Sequence, residues 1–112
     1  MGVPSHAVQG KEAVLGCDYD LEGQELYAVK WYKNGLEFYR FLPSSAKATT
    51  IYARPGVNVD PERSGDREVT LTGLGQKSTG RYRCEVSTEA PSFATVSNYG
   101  DMVVVGKWQP RC

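Results

Sequence analysis

Along this chain apolar and polar positions alternate over short stretches, separated by clusters of Gly, Pro, Asn and Ser, with no stripe at helical spacing. The pattern predicts an all-β protein. In residues 13–17 the alternate positions Ala13, Leu15 and Cys17 share one side. Gly10-Lys11 before them reads as a turn out of an N-terminal edge strand around Ala7-Val8, and Pro4 suits an edge because it has no N–H to give to a ladder. Residues 27–33 set Tyr27, Val29 and Trp31 on one side and Ala28, Lys30 and Tyr32 on the other. They run into Asn34-Gly35, a pair that tolerates the positive φ angles of a type I′ turn and so predicts a tight hairpin with residues 36–41. Strict alternation from a Lys33–Leu36 pair sets Trp31 against Phe38 on the core side. It gathers Glu37, Tyr39 and Phe41 beside Lys30 and Tyr32 on the outer side.

Beyond the hairpin the signal weakens. Pro43, Pro55-Gly56 and Asp60-Pro61 interrupt two short edge candidates, residues 49–53 and 57–59. Residues 68–74 alternate again with Val69 and Leu71 inward, and a polar corner follows at 75–79. Residues 81–87 place Tyr82, Cys84 and Val86 on one face and Arg81, Arg83 and Glu85 on the other. In the last strand, 99–105, the inward pair is either Met102 with Val104 or Val103 with Val105. No repeat or low-complexity tract is present.

At 112 residues, 40% of them hydrophobic and 23% charged, the chain has the composition of one ordered domain and not of a disordered segment. Thirteen basic residues balance thirteen acidic ones, which leaves no net field for phosphate backbones and argues against nucleic acid as a partner. No run approaches the roughly 18 apolar residues of a membrane span, so this segment is expected to be soluble and not to insert into a bilayer, with any secretory signal or anchor lying outside it. An enzyme is not expected either. His6 is the only histidine, and no motif sets a nucleophile beside it. Asp18-Tyr19-Asp20-Leu21-Glu22-Gly23 imitates the start of a calcium loop, but the twelfth position is Val29 where a bidentate glutamate is required. No metal or cofactor is expected. Asn34, Asn58 and Asn98 lie outside any glycosylation sequon, which leaves the faces of the segment open.

Three cysteines allow one pair. Cys17 and Cys84 are favoured because both fall mid-strand on an apolar side, whereas Cys112 follows a polar tail. Such a bridge implies an oxidising compartment; two reduced thiols in a cytosolic protein are the alternative.

Trp31 lies fourteen residues after Cys17, and Tyr82 two residues before Cys84 in Gly80-Arg81-Tyr82-Arg83-Cys84. This spacing resembles the immunoglobulin fold, and the resemblance implies a V-type β-sandwich over residues 1–106, followed by a tail or truncated linker at 107–112. It further implies that the disulfide joins the B and F strands of the two sheets, that Trp31 packs on it in the core, and that Tyr82 ties down the corner before strand F. In the family an Asp usually stands four residues before that Tyr. Here the place is Ser78, which puts in doubt the ion pair that Asp makes with an Arg near strand D.

A narrower likeness runs through Cys17-Asp18-Tyr19-Asp20-Leu21-Glu22-Gly23, Val29-Lys30-Trp31-Tyr32-Lys33, Glu37-Phe38-Tyr39-Arg40, Pro55-Gly56-Val57-Asn58-Val59, Ser78-Thr79-Gly80-Arg81-Tyr82-Arg83-Cys84-Glu85-Val86-Ser87 and Glu89-Ala90-Pro91-Ser92-Phe93. These segments resemble the first immunoglobulin domain of the beaten path family of insect neuronal recognition proteins, over about residues 3–105. The resemblance implies a secreted or cell-surface protein that binds sidestep-family immunoglobulin receptors in axon guidance and synaptic partner choice.

The expected contact surface is the outer face of the C, C′, F and G strands: Lys30, Tyr32, Glu37, Tyr39, Phe41, Arg81, Arg83 and Glu85, with Phe93 from the F–G loop. Aromatic and arginine side chains are the types enriched at binding hot spots. A second reading from another class is a sialic-acid-lectin-like domain, in which Arg81 or Arg83 pairs with a carboxylated sugar beside Tyr99. The sequence leaves a homodimer open.

Overall fold

The computed structural model describes residues 2–21, 23–89 and 94–106. Among these residues eight strands form: β1 (His6–Val8), β2 (Ala13–Gly16), β3 (Leu26–Lys33), β4 (Leu36–Phe41), β5 (Thr49–Ile51), β6 (Glu68–Leu71), β7 (Gly80–Thr88) and β8 (Thr95–Val105). They make two layers, a six-stranded sheet in the order β1-β8-β7-β3-β4-β5 and a smaller sheet of β2 and β6, against whose Leu71 Val59 adds an isolated bridge. Every pairing is antiparallel except β1 with β8. The N-terminal segment serves both sheets. Gly2 accepts a bond from Gly16 of the small sheet, and His6–Val8 then pair along β8 of the large one. Pro4 sits at the crossing, where no donor is demanded of it.

The inward residues meet as the alternation requires. Ala13, Leu15 and Cys17 from the small sheet face Val29, Trp31, Tyr82, Cys84 and Val86 from the large one, with Val69 and Leu71 beside them. The choice left open in the last strand is settled for Met102 and Val104, which are buried while Val103 and Val105 face out. Cys17 and Cys84 are disulfide-bonded across the layers with their Cα atoms 6.1 Å apart. Trp31 lies directly opposite Cys84 in the β3–β7 ladder, so the indole and the bridge occupy one level of the core.

The two edge candidates contract. Only Thr49–Ile51 forms a strand, and residues 57–59 contribute single bridges at Val57 and Val59. Pro61–Arg63 is a short 3-10 turn capped by the Asp60 carboxylate, and the corner at 75–79 contains another, Gln76–Ser78. β8 starts earlier than expected, at Thr95.

At the corner before β7 the Tyr82 hydroxyl donates to the Ser78 carbonyl, as the immunoglobulin resemblance implies. Ser78 itself is buried and takes over part of the work of the missing Asp. Its hydroxyl donates to the Gly56 carbonyl at 2.6 Å and accepts from Gly75 N–H at 3.0 Å, stitching this corner to the loop after β5. The approach is so close that a Cβ on Gly56, whose φ is +78°, would lie 2.3 Å from the Lys77 carbonyl oxygen. The ion pair in doubt is absent at Ser78. Nearby, Arg63 pairs with Asp60 at 2.8 Å and with Glu12. Replacing Ser78 by Ala leaves the half-buried Gly56 carbonyl and Gly75 N–H without this partner, and is expected to cost about 1–3 kcal/mol in chemical denaturation. A change within a few tenths would show the contact to be dispensable.

Candidate functional site

The face of the large sheet turned away from the core has its identity decided by one irregularity in β4. Leu36 pairs with Lys33 and Glu37 with Tyr32, as the hairpin turn requires, with Asn34 at φ 50° and Gly35 at 85°. The register then shifts, and Trp31 pairs with Tyr39, leaving Phe38 as the extra residue of a β-bulge. Both aromatics go inward. Phe38 meets the Tyr82 ring edge-on with centroids 6.0 Å apart, and its carbonyl accepts from Tyr52 N–H at 2.9 Å. Tyr39 is 0% exposed, and its hydroxyl donates to the Gly65 carbonyl at 3.1 Å.

This corrects the expected face. Past the bulge every side chain changes sides, so Tyr39 and Phe41 leave the outer surface and pack with the core. Arg40 takes the outer place between Lys30 of β3 and Thr50 of β5. A second register shift, between Leu26 and Ala28, turns Tyr27 outward and lets Leu26 pack inward in its stead. Lys30, Tyr32, Glu37, Arg81, Arg83 and Glu85 occupy the outer face as expected. Phe93 and Cys112 lie outside the described residues.

Sequence reading missed Arg40 and Tyr52, and included Tyr99 only for a sugar. A signal for the first was present. Strict alternation through 36–41 carries Arg40 to the core side together with Phe38, and a buried arginine without a partner is expensive enough to argue for a bulge.

On the finished face each of three arginines is held by a carboxylate and lies over a tyrosine ring. Arg40 forks onto Glu37 at 2.8 and 3.0 Å, with its guanidinium carbon 5.9 Å from the Tyr52 ring centre. Arg81 binds Asp101 at 2.9 and 3.4 Å and stands 5.1 Å from the Tyr99 ring. Arg83 stands 4.2 Å from the Tyr32 ring and meets Glu85 at 3.4 Å, while the Tyr32 hydroxyl donates to the other Glu85 oxygen at 3.2 Å. Hydrogen bonding to Asp101 raises the pKa of Arg81, and the same bond lowers that of Asp101. Burial first, and then the Glu85 charge, raises that of Tyr32. The Arg81–Asp101 pair therefore keeps its charges through the neutral range. Stacking and ion pairing together restrict long side chains before any partner arrives, which lowers the ordering cost of association.

No family model matches this sequence, and neither does any curated protein. Solved structures do. The V domain of amphioxus IgVJ-C2 is similar with a TM-score of 0.70 and 23% identity, over 90% of this chain and 98% of that one. Murine CEACAM1b is similar with a TM-score of 0.69 and 19% identity over 94% of this chain and 53% of its own, so the present chain spans about half of it. Dpr1 IG1, solved bound to DIP-eta IG1, has a TM-score of 0.61 and 16% identity over 94% and 91%. The chain folds as a V-type immunoglobulin sandwich with an inter-sheet disulfide.

The buried phenols yield two expectations. Truncating Tyr39 to Ala removes a core ring and is expected to lower stability by about 3 kcal/mol or more, in contrast to an exposed tyrosine such as Tyr99; equal, small losses at both positions would contradict the bulge. Burial pushes the Tyr82 hydroxyl up to about 12, and burial with the bond to Asp66 pushes Tyr19 to about 12 as well, from an ordinary 10.0. The unfolded chain releases these protons first, so stability should be level up to about pH 10 and fall as pH rises toward 12. Denaturant midpoints across that window test it, and Tyr82→Phe should flatten the slope.

Proposed function

We propose that this chain is the recognition domain of an extracellular protein, and that the outer face of its six-stranded sheet binds an immunoglobulin domain of another cell-surface protein. The observation that carries the reading is the triple arrangement of arginine, carboxylate and tyrosine on one flat, solvent-facing sheet. Flat sheets present many side chains at once. Here the aromatic rings supply contact area with few rotatable bonds, and the fixed charges of both signs select a complementary surface. The Cys17–Cys84 bridge supports an oxidising, extracellular setting. Dpr1 IG1 in complex with DIP-eta IG1 supports the general mode, since there one domain of this fold is bound to another immunoglobulin domain.

The narrower assignment, a beaten path-like protein whose partner belongs to the sidestep family, rests on the motif resemblance from Cys17 to Gly23, Val29 to Lys33 and Glu89 to Phe93. On that reading Tyr32 and Arg83 form the centre of the contact, with Arg40 and Glu37 toward β5 and Tyr99 toward β8.

Surface plasmon resonance against a panel of sidestep-family ectodomains tests both levels. Arg83→Glu and Tyr32→Ala are each expected to weaken binding about tenfold or more while leaving the melting temperature within a degree or two. Wild-type affinity in both variants would reject the face. Binding to other immunoglobulin ectodomains but to no sidestep-family member would keep the face and reject the narrower assignment.

A further inference from the structure

Where the β3–β4 turn meets β7 and β8, the outer face is indented by a cleft of about 360 Å³ lined by Asn34, Gly35, Arg81, Arg83 and Tyr99. Its wall is built almost entirely of donors. Asn34 Oδ1 is already taken by the Arg81 backbone N–H at 2.9 Å, which leaves the Asn34 amide nitrogen to donate. The Arg81 fork uses Nε and Nη2 on Asp101. Arg83 commits one nitrogen, Nη1, at 3.4 Å, so among the described residues its Nε and Nη2 meet no carboxylate. The two acids that accompany these arginines, Asp101 and Glu85, are not part of the lining. Beside the opening stands one apolar surface, the Tyr99 ring, 63% exposed.

We infer that this cleft is the anchor point for an acidic side chain, glutamate or aspartate, presented by the protein that docks on the sheet. The inference rests on the reading of this face as the recognition surface and adds to it the chemistry of the partner. A carboxylate offers two acceptor oxygens and no donor, which matches a wall of guanidinium and amide N–H groups, and a guanidinium fork holds it in a fixed orientation. The aliphatic stem of the same side chain lies against the Tyr99 ring. A sugar ring fits less well, because its hydroxyls need acceptors as well as donors, and among the described residues the Tyr99 hydroxyl is the one side-chain acceptor in the lining not already engaged.

The cleft can be tested without the partner, by following the arginine Nε–H resonances of labelled protein at low ionic strength. The probes are N-acetyl-glutamate methylamide, its glutamine analogue and the methyl glycoside of N-acetylneuraminic acid. The glutamate probe is expected to shift the Arg81 and Arg83 signals with millimolar affinity, about tenfold tighter than the glutamine analogue. Arg83→Gln should abolish this preference, and Arg40→Gln, on the same face but outside the cleft, should leave it intact. Equal response to glutamate and glutamine, equal loss in both variants, or a response to the neuraminic acid glycoside alone would each overturn the inference. Because the ectodomain measurements include Tyr32→Ala, a residue outside the cleft, a failed glutamate probe beside ectodomain binding that still depends on Tyr32 removes the cleft and leaves the recognition surface standing.

Discussion

A sulfur–sulfur bond between Cys17 and Cys84 holds the two layers of this domain together, with Trp31 packed at the same level. Among the described residues the small sheet consists of β2, β6 and the bridge from Val59, and it meets the six strands through core side chains and the N-terminal segment rather than through a shared ladder. The covalent link closes a loop of 67 residues, and on chain-entropy grounds a link of that span contributes about 4 kcal/mol, a large part of the roughly 5–15 kcal/mol by which domains are stable. Leu15, Val69, Leu71, Tyr82 and Met102 then fill the space that the link sets between the layers.

With the core side occupied, the opposite side of the large sheet is left to solvent, and its chemistry follows from strand register. β3 and β7 supply Lys30, Tyr32, Arg81, Arg83 and Glu85 by simple alternation. β4 breaks alternation at Phe38. One extra residue there removes two aromatics from the surface and delivers an arginine, so the face is less greasy and more charged than an unbroken strand would make it. An open sheet face of large apolar rings would invite non-specific association. Tyrosines half covered by guanidinium groups, each guanidinium in turn held by a carboxylate, present contact area in a form that water tolerates.

Ser78 shows a similar exchange inside the fold. Where the related pattern uses a carboxylate to reach an arginine, this chain uses a hydroxyl to reach the Gly56 backbone. The corner that launches β7 is thereby fixed to the loop after β5, which steadies the strand that carries Arg81 and Arg83.

The sequence by itself determined the all-β class, the Asn34-Gly35 turn and the placement of Lys30, Tyr32, Glu37, Arg81, Arg83 and Glu85, and it favoured Cys17 with Cys84, because each depends on two-residue periodicity or on a local backbone preference that neighbouring residues express without help; the immunoglobulin sandwich was implied by resemblance. The tertiary structure alone decided that Tyr39 and Phe41 lie inside and Arg40 outside, that Met102 and Val104 face the core, and that Asn34, Arg81, Arg83 and Tyr99 share a cleft. A bulge is a one-residue slip chosen by what the second sheet and the Tyr82 ring can accommodate, and that choice is made between segments far apart in the chain, where alternation along a single strand carries no information.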